Sequence, residues 1–126
     1  MSKYFSILFC LSFLFATCGK DEASSITKLD QGKIVTVQVK KDFSIMLKAN
    51  PSTGYDWQIL DIDSNIIRHK GTSYNPYRNV PGSNGMEQIT FTSIKKGTSP
   101  LKLGYMRAWE GRGSMVDSFA ITVKVK

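Results

Sequence analysis

The chain has 126 residues and a formal net charge of +7, from 17 Lys and Arg against 10 Asp and Glu. That length predicts one domain. A single His and two Cys leave no metal-ligand spacing, and the basic residues form no stripe with interleaved aromatics, which argues against nucleic acid as a partner.

The chain opens with Lys3 followed by a nearly unbroken apolar run, Tyr4 to Ala16. The run has the length of a signal-peptide core and is too short to cross a bilayer as a helix. Residues 1–17 are therefore expected to be a signal peptide. The stretch Phe15-Ala16-Thr17-Cys18-Gly19-Lys20 resembles a bacterial lipobox, with Phe15 where Leu is usual and Thr17 where Gly or Ala is usual. Two outcomes follow: lipidation at Cys18, or plain cleavage near Ala16. The first implies export and lipid anchoring to the cell envelope on its periplasmic or outer-membrane side, and the second secretion. Several acyl chains on one residue give stable anchoring where a single chain does not. Residues 18–25, small and polar, read as a flexible tether. With Cys10 lost in the signal, the domain over 26–126 contains no disulfide and rests on its apolar core.

From there the dominant signal is alternation with a period of two, the mark of strands with one buried face. Val35, Val37 and Val39 alternate with polar residues, and so do Phe43, Ile45 and Leu47 beyond Lys40-Lys41-Asp42. These two runs are expected to pair as a hairpin. Tyr55, Trp57 and Ile59 form the next set, then Ile66-Ile67, then Ile89, Phe91 and Ser93. Leu101, Leu103 and Tyr105 follow a turn, and Phe119, Ile121, Val123 and Val125 close the chain. No stretch shows a 3.6-residue apolar period. The pattern of about six to eight short strands predicts an all-β sandwich or barrel, and the expected fold is a sandwich of about seven to eight antiparallel strands. Gly71 to Gly85, with three Gly, two Pro and three Asn, reads as one long irregular loop.

Enzyme chemistry has little to stand on. His69 has no nucleophile motif around it, no phosphate-binding Gly loop is present, and no cofactor is implied. Three loops stand out instead. In Asn50-Pro51-Ser52-Thr53-Gly54, Pro51 fixes its own φ and Gly54 permits a left-handed turn, which also describes an ordinary tight turn. Gly82-Ser83-Asn84-Gly85 has little side-chain bulk, so another backbone can approach closely, though a flexible linker looks the same. Arg107-Ala108-Trp109 sets a Trp beside an Arg, the composition of a binding hot spot; a Trp folded back on the sandwich edge is the alternative.

Taken in order, Asn50-Pro51-Ser52-Thr53-Gly54-Tyr55 with Trp57, then the Gly-rich loop, then Tyr105-Met106-Arg107-Ala108-Trp109 resemble the chagasin family of cysteine protease inhibitors. Against the family pattern, Ser52 stands for Thr, Asn84 for Gly and Ala108 for Pro. The resemblance implies an immunoglobulin-like sandwich with the three loops clustered at one end. It also implies a monomeric, non-catalytic inhibitor of papain-like cysteine proteases, with Asn50–Gly54, Gly82–Gly85 and Arg107–Trp109 as the contact residues. The other reading of the same loops is an immunoglobulin-like surface lipoprotein that binds a ligand without inhibiting anything.

Overall fold

The computed structural model describes residues 25–126, so the signal segment, Cys18 and most of the tether lie outside the described residues. Eight strands form two four-stranded sheets packed face to face. In chain order they are β1 (Ser25–Thr27), β2 (Ile34–Val37), β3 (Asp42–Ala49), β4 (Asp56–Ile62), β5 (Ile67–Pro76), β6 (Gly85–Ser93), β7 (Gly97–Met106) and β8 (Asp117–Val125). One sheet has the order β1-β3-β6-β5, the other β2-β8-β7-β4. The long central pairs are antiparallel, while the short edge strands β1 and β2 run parallel to β3 and β8.

The alternating apolar sets meet between the sheets. Phe43, Ile45, Leu47, Ile89 and Phe91 face Leu101, Leu103, Phe119, Ile121 and Val123, and all are buried. Phe43 and Phe91 stack across the β3–β6 pair with ring centroids 5.6 Å apart. Each apolar side chain taken fully from water contributes about 1.5–3 kcal/mol, so this double row is the main support of a domain without a disulfide. β4 breaks the alternation. A bulge between Ile59 and Asp61 leaves Ile59 partly exposed and lets Ile62 pack on the core.

Three expectations need correction. The runs around Val37 and Phe43 do not form a hairpin: β2 pairs with β8 and β3 with β6, in different sheets. The intervening turn crosses the sandwich through Lys40 at φ 59. The buried Ser93 hydroxyl holds this crossover, donating to the Gln38 carbonyl and accepting from the Lys41 N–H at 3.0 Å. Each run has an apolar face, and placing them in facing sheets buries both faces at once. The second correction concerns Gly71–Gly85. Gly71 to Pro76 belong to β5, which pairs with β6 along its whole length, so the loop is only residues 77–84. β5 is an edge strand with mostly exposed side chains, and it therefore lacks an alternating signature. Ser25, assigned to the tether, pairs with Ser44 as the first residue of β1.

Gly85 opens β6 with no room for a side chain. A Cβ there would lie 2.3 Å from the Asn75 carbonyl oxygen and 2.7 Å from Pro76 Cα, both backbone atoms. Gly85→Ala is expected to destabilise the domain by roughly 1–3 kcal/mol, as overpacked sites do. Urea unfolding of the two proteins checks this; an unchanged midpoint would show that β5 yields without cost.

Candidate functional site

The first loop connects β3 of one sheet to β4 of the other, so it closes the end of the sandwich. Pro51–Thr53 form a single 3-10 turn, with Asn50 extended before it and Gly54 left-handed (φ 80) after it. Asn50 caps the turn: its Oδ1 accepts from the Ser52 N–H at 3.2 Å and from the Ser52 hydroxyl. The Thr53 hydroxyl donates to the Asn50 carbonyl at 2.7 Å. Both hydroxyl protons are thus turned inward, and what the tip offers outward is acceptor oxygens.

Asn50 also reaches the other elements. Its backbone N–H donates to the Tyr105 hydroxyl at 2.8 Å. Its Nδ2 donates to Asn84 Oδ1 at 2.8 Å and to the Gly82 carbonyl at 3.3 Å. One side chain therefore ties the first loop to the second, while its own N–H is held by the strand that leads into the third.

The second loop, residues 77–84, folds back on itself. The Tyr77 N–H donates to the Asn84 carbonyl at 2.8 Å, and the Tyr74 hydroxyl to the Ser83 carbonyl at 2.6 Å. Gly82 is left-handed with open space around its Cα, as a turn tip requires. Gly82, Ser83 and Asn84 stand in this loop. Gly85 does not: it is buried in the first rung of β6, where its small size serves strand packing.

The third loop leaves β7 at Met106. Arg107 turns back to the first loop, its Nε donating to the Thr53 carbonyl at 3.3 Å and its guanidinium lying 4.7 Å over the Tyr55 ring. Glu110 pairs with Arg107 Nη1 at 3.3 Å. Ala108–Glu110 form another 3-10 turn. Trp109 is 72% exposed, yet its ring edge packs on Gly54, where a Cβ would sit 2.5 Å from Cη2. Gly54 is needed twice, for its positive φ and for this contact. The loops therefore lie side by side at one end, and Trp109 projects outward.

Beneath them lies a residue that the motif reading passes over. Glu87 occupies an inward position of β6, between Gly85 and Ile89, and is 3% exposed. Burial pushes its carboxyl up to about 8, reinforced by the hydrogen bond it shares with Asp56 and by that carboxylate's charge. At neutral pH Glu87 is held protonated and ties β6 to β4, one strand from each sheet, just under the loops. The visible signal was a Glu in the apolar register of a strand. Among the described residues, no His, Cys, Asp and Glu are grouped to hold a metal. His69 lies exposed on β5, 2.8 Å from the Thr72 hydroxyl.

Compared with known proteins, residues 36–123 match the family model described as "Chagasin family peptidase inhibitor I42". Chagasin from Trypanosoma cruzi is 27% identical over 104 residues, covering 79% of this chain and 94% of chagasin. Amoebiasin-2 from Entamoeba histolytica is 31% identical over 84 residues, covering 65% of this chain and 68% of its own length. Among solved structures, the cysteine protease inhibitor EhICP2 from Entamoeba histolytica superposes with a TM-score of 0.70 at 24% identity, over 81% of this chain and 94% of that one. The solution structure of Amebosin gives 0.67 at 24% identity, over 81% and 96%. At that identity the likeness speaks for the fold.

Because Glu87 is protonated in the folded state and ionised when unfolded at neutral pH, its contribution to stability follows a definite sign. It is fully present below the ordinary value near 4.5 and is lost as pH rises through about 8. Urea unfolding between pH 5 and 9 is expected to show falling stability in the native protein and a flatter profile in Glu87→Gln, which keeps a neutral donor. Parallel profiles would contradict the protonated bridge.

Proposed function

The chain belongs to the chagasin family of peptidase inhibitors, and on that premise we infer that it is a reversible, non-covalent inhibitor of papain-like cysteine endopeptidases. It acts by occluding the active-site cleft with its three-loop end and carries no catalytic activity of its own. The observation that supports this reading most is the bracing of the first loop by Asn50 and Arg107, which makes the three tips one wedge.

A papain-like enzyme presents a thiolate and an imidazolium in a groove. In the proposed complex the Asn50–Gly54 loop enters the centre of that groove. Its outward lone pairs, from Ser52 and Thr53, face the imidazolium as acceptors. The 3-10 turn bends the backbone between Asn50 and Gly54, so no peptide bond lies extended for attack, and occlusion is reversible. Trp109 projects to one side and buries its ring against the enzyme; Arg107, fixed by Thr53 and Tyr55, sets the angle of that loop. Gly82, Ser83 and Asn84 grip the other side through backbone groups. Preorganisation lowers the ordering cost of binding, and here it comes from side-chain bonds between loops, since Ala108 lacks the constraint of a proline.

We further propose that export and a lipid anchor at Cys18 place the inhibitor on the envelope surface, as a monomer. The lipobox-like sequence is what supports this.

Titrating papain with the protein tests the inhibitory reading: activity should fall with added protein and return on dilution. Trp109→Ala is expected to weaken inhibition at least tenfold, which corresponds to about 1.4 kcal/mol, and to leave thermal unfolding in place because the ring is exposed. An inhibition constant unmoved by this substitution would remove Trp109 from the contact, and no inhibition by the native protein would leave the non-inhibitory binding module.

A further inference from the structure

The strand register fixes what lies at the end of the sandwich opposite the loops. β3 runs from Asp42 toward Asn50, and Asp42 pairs with Thr92 near the end of β6. The crossover after β2, the turn between β6 and β7 and the end of β8 therefore share the far end. Hydrogen bonds join them there. The Val39 N–H donates to the Lys126 carbonyl at 2.9 Å, and the Lys40 N–H to the Ser93 carbonyl at 3.0 Å. Gly97 pairs with Val125.

These three segments bring together Lys40, Lys41, Lys95, Lys96 and Lys126, all exposed. In sequence they are two isolated pairs and a single residue; the fold makes them one group. Lys40, Lys95, Lys96 and Lys126 have no ion-pair partner among the described residues. Of the acids near this end, Asp42 is bound by Lys70, while the Asp63 carboxylate accepts from the Asn65 N–H at 3.0 Å and pairs with none of these lysines. Gathering cations costs repulsion, and for Lys40, Lys95, Lys96 and Lys126 no ion pair among the described residues offsets it.

The same end receives the N-terminal segment. Ser25 pairs with Ser44, near the start of β3. Six residues of strand separate Ser44 from Asn50, about 20 Å. Cys18 precedes Ser25 by seven residues, with the apolar run Tyr4–Ala16 before it.

We propose that this lysine end is a docking face for an anionic lipid surface. The charges sit on turns and chain ends of three separate segments, a spread that suits a sheet of headgroups rather than one small anion. Lysines act on such a surface only within a Debye length, about 8 Å at physiological salt. A chain that enters at this end, seven residues after Cys18, lets this face approach a surface to within that distance. Docked in this way, the protein turns Asn50, Asn84 and Trp109 away from the bilayer, toward soluble proteases. The docking goes beyond the inhibitory reading and does not depend on it; only the link to the anchor rests on Cys18.

The test uses the full chain and its K40Q/K41Q/K95Q/K96Q variant, with vesicles of phosphatidylcholine alone or containing phosphatidylglycerol. The difference between the vesicle types reads the chain's basic charge, and the comparison with the variant assigns it to these lysines. Native protein is expected to bind the anionic vesicles roughly tenfold or more tightly than the neutral ones at low salt. The variant should lose that preference and still inhibit papain like the native protein. Vesicle-bound native protein should also inhibit papain. No preference in the native protein, a preference retained by the variant, or equal retention by soluble duplex DNA would overturn the proposal. So would loss of papain inhibition on vesicle binding. Papain inhibition by vesicle-free native protein, measured alongside, judges the inhibitory reading separately.

Discussion

The working end of this protein depends on the carboxamide of Asn50. Its oxygen caps the turn that follows it, and its nitrogen reaches two acceptors in a loop more than thirty residues away in the chain. Exposed hydrogen bonds contribute little individually, about 0.5–1.5 kcal/mol net. Their value here is geometric. Three loops, each leaving a different pair of strands, acquire one relative position before any partner arrives. Ordering that would otherwise oppose association is already complete in the free protein.

The sandwich below serves that position. Gly85 lets β5 and β6 close tightly beneath the second loop, and the protonated Glu87 links β6 to Asp56 on β4, next to the first. The Tyr105 hydroxyl rises from β7 to hold the Asn50 N–H. Arg107 and Gly54 join the third loop to the first, one by a hydrogen bond and an aromatic face, the other by making room for Trp109. In this chain the amide of Asn84 supplies a side-chain acceptor where the family pattern has glycine, and Ala108 stands where it has proline.

Much of this was readable in the sequence, for definite reasons. Phe43-Ile45-Leu47 and Phe119 to Val125 announce themselves because a half-buried strand forces alternation. The three loop motifs are legible together, the first two through the backbone demands of Pro51, Gly54 and Gly82 and the third through Trp109 beside Arg107. Other features left no trace. A period of two says which face is buried but not which sheet a strand joins, so Val37 and Phe43 looked like a hairpin. β1 buries one residue, Ile26, too few to make a pattern. β5 lies at an edge with polar side chains on both faces, and its second half, from Gly71, read as loop. Gly85 resembled a loop glycine, because sequence does not distinguish room for a partner from room for the neighbouring strand. The convergence of five lysines at one end is a product of topology alone.

In the proposed complex the loops bind as one body through Asn50. A double-mutant cycle on the papain inhibition constant tests it most directly, with Asn50→Ala, Asn84→Ala and the pair. If the loops are coupled through this amide, the double variant is no weaker than Asn50→Ala alone, giving a coupling of about 1 kcal/mol. If the two losses simply add, each loop meets the enzyme on its own and the account of a preassembled wedge is wrong.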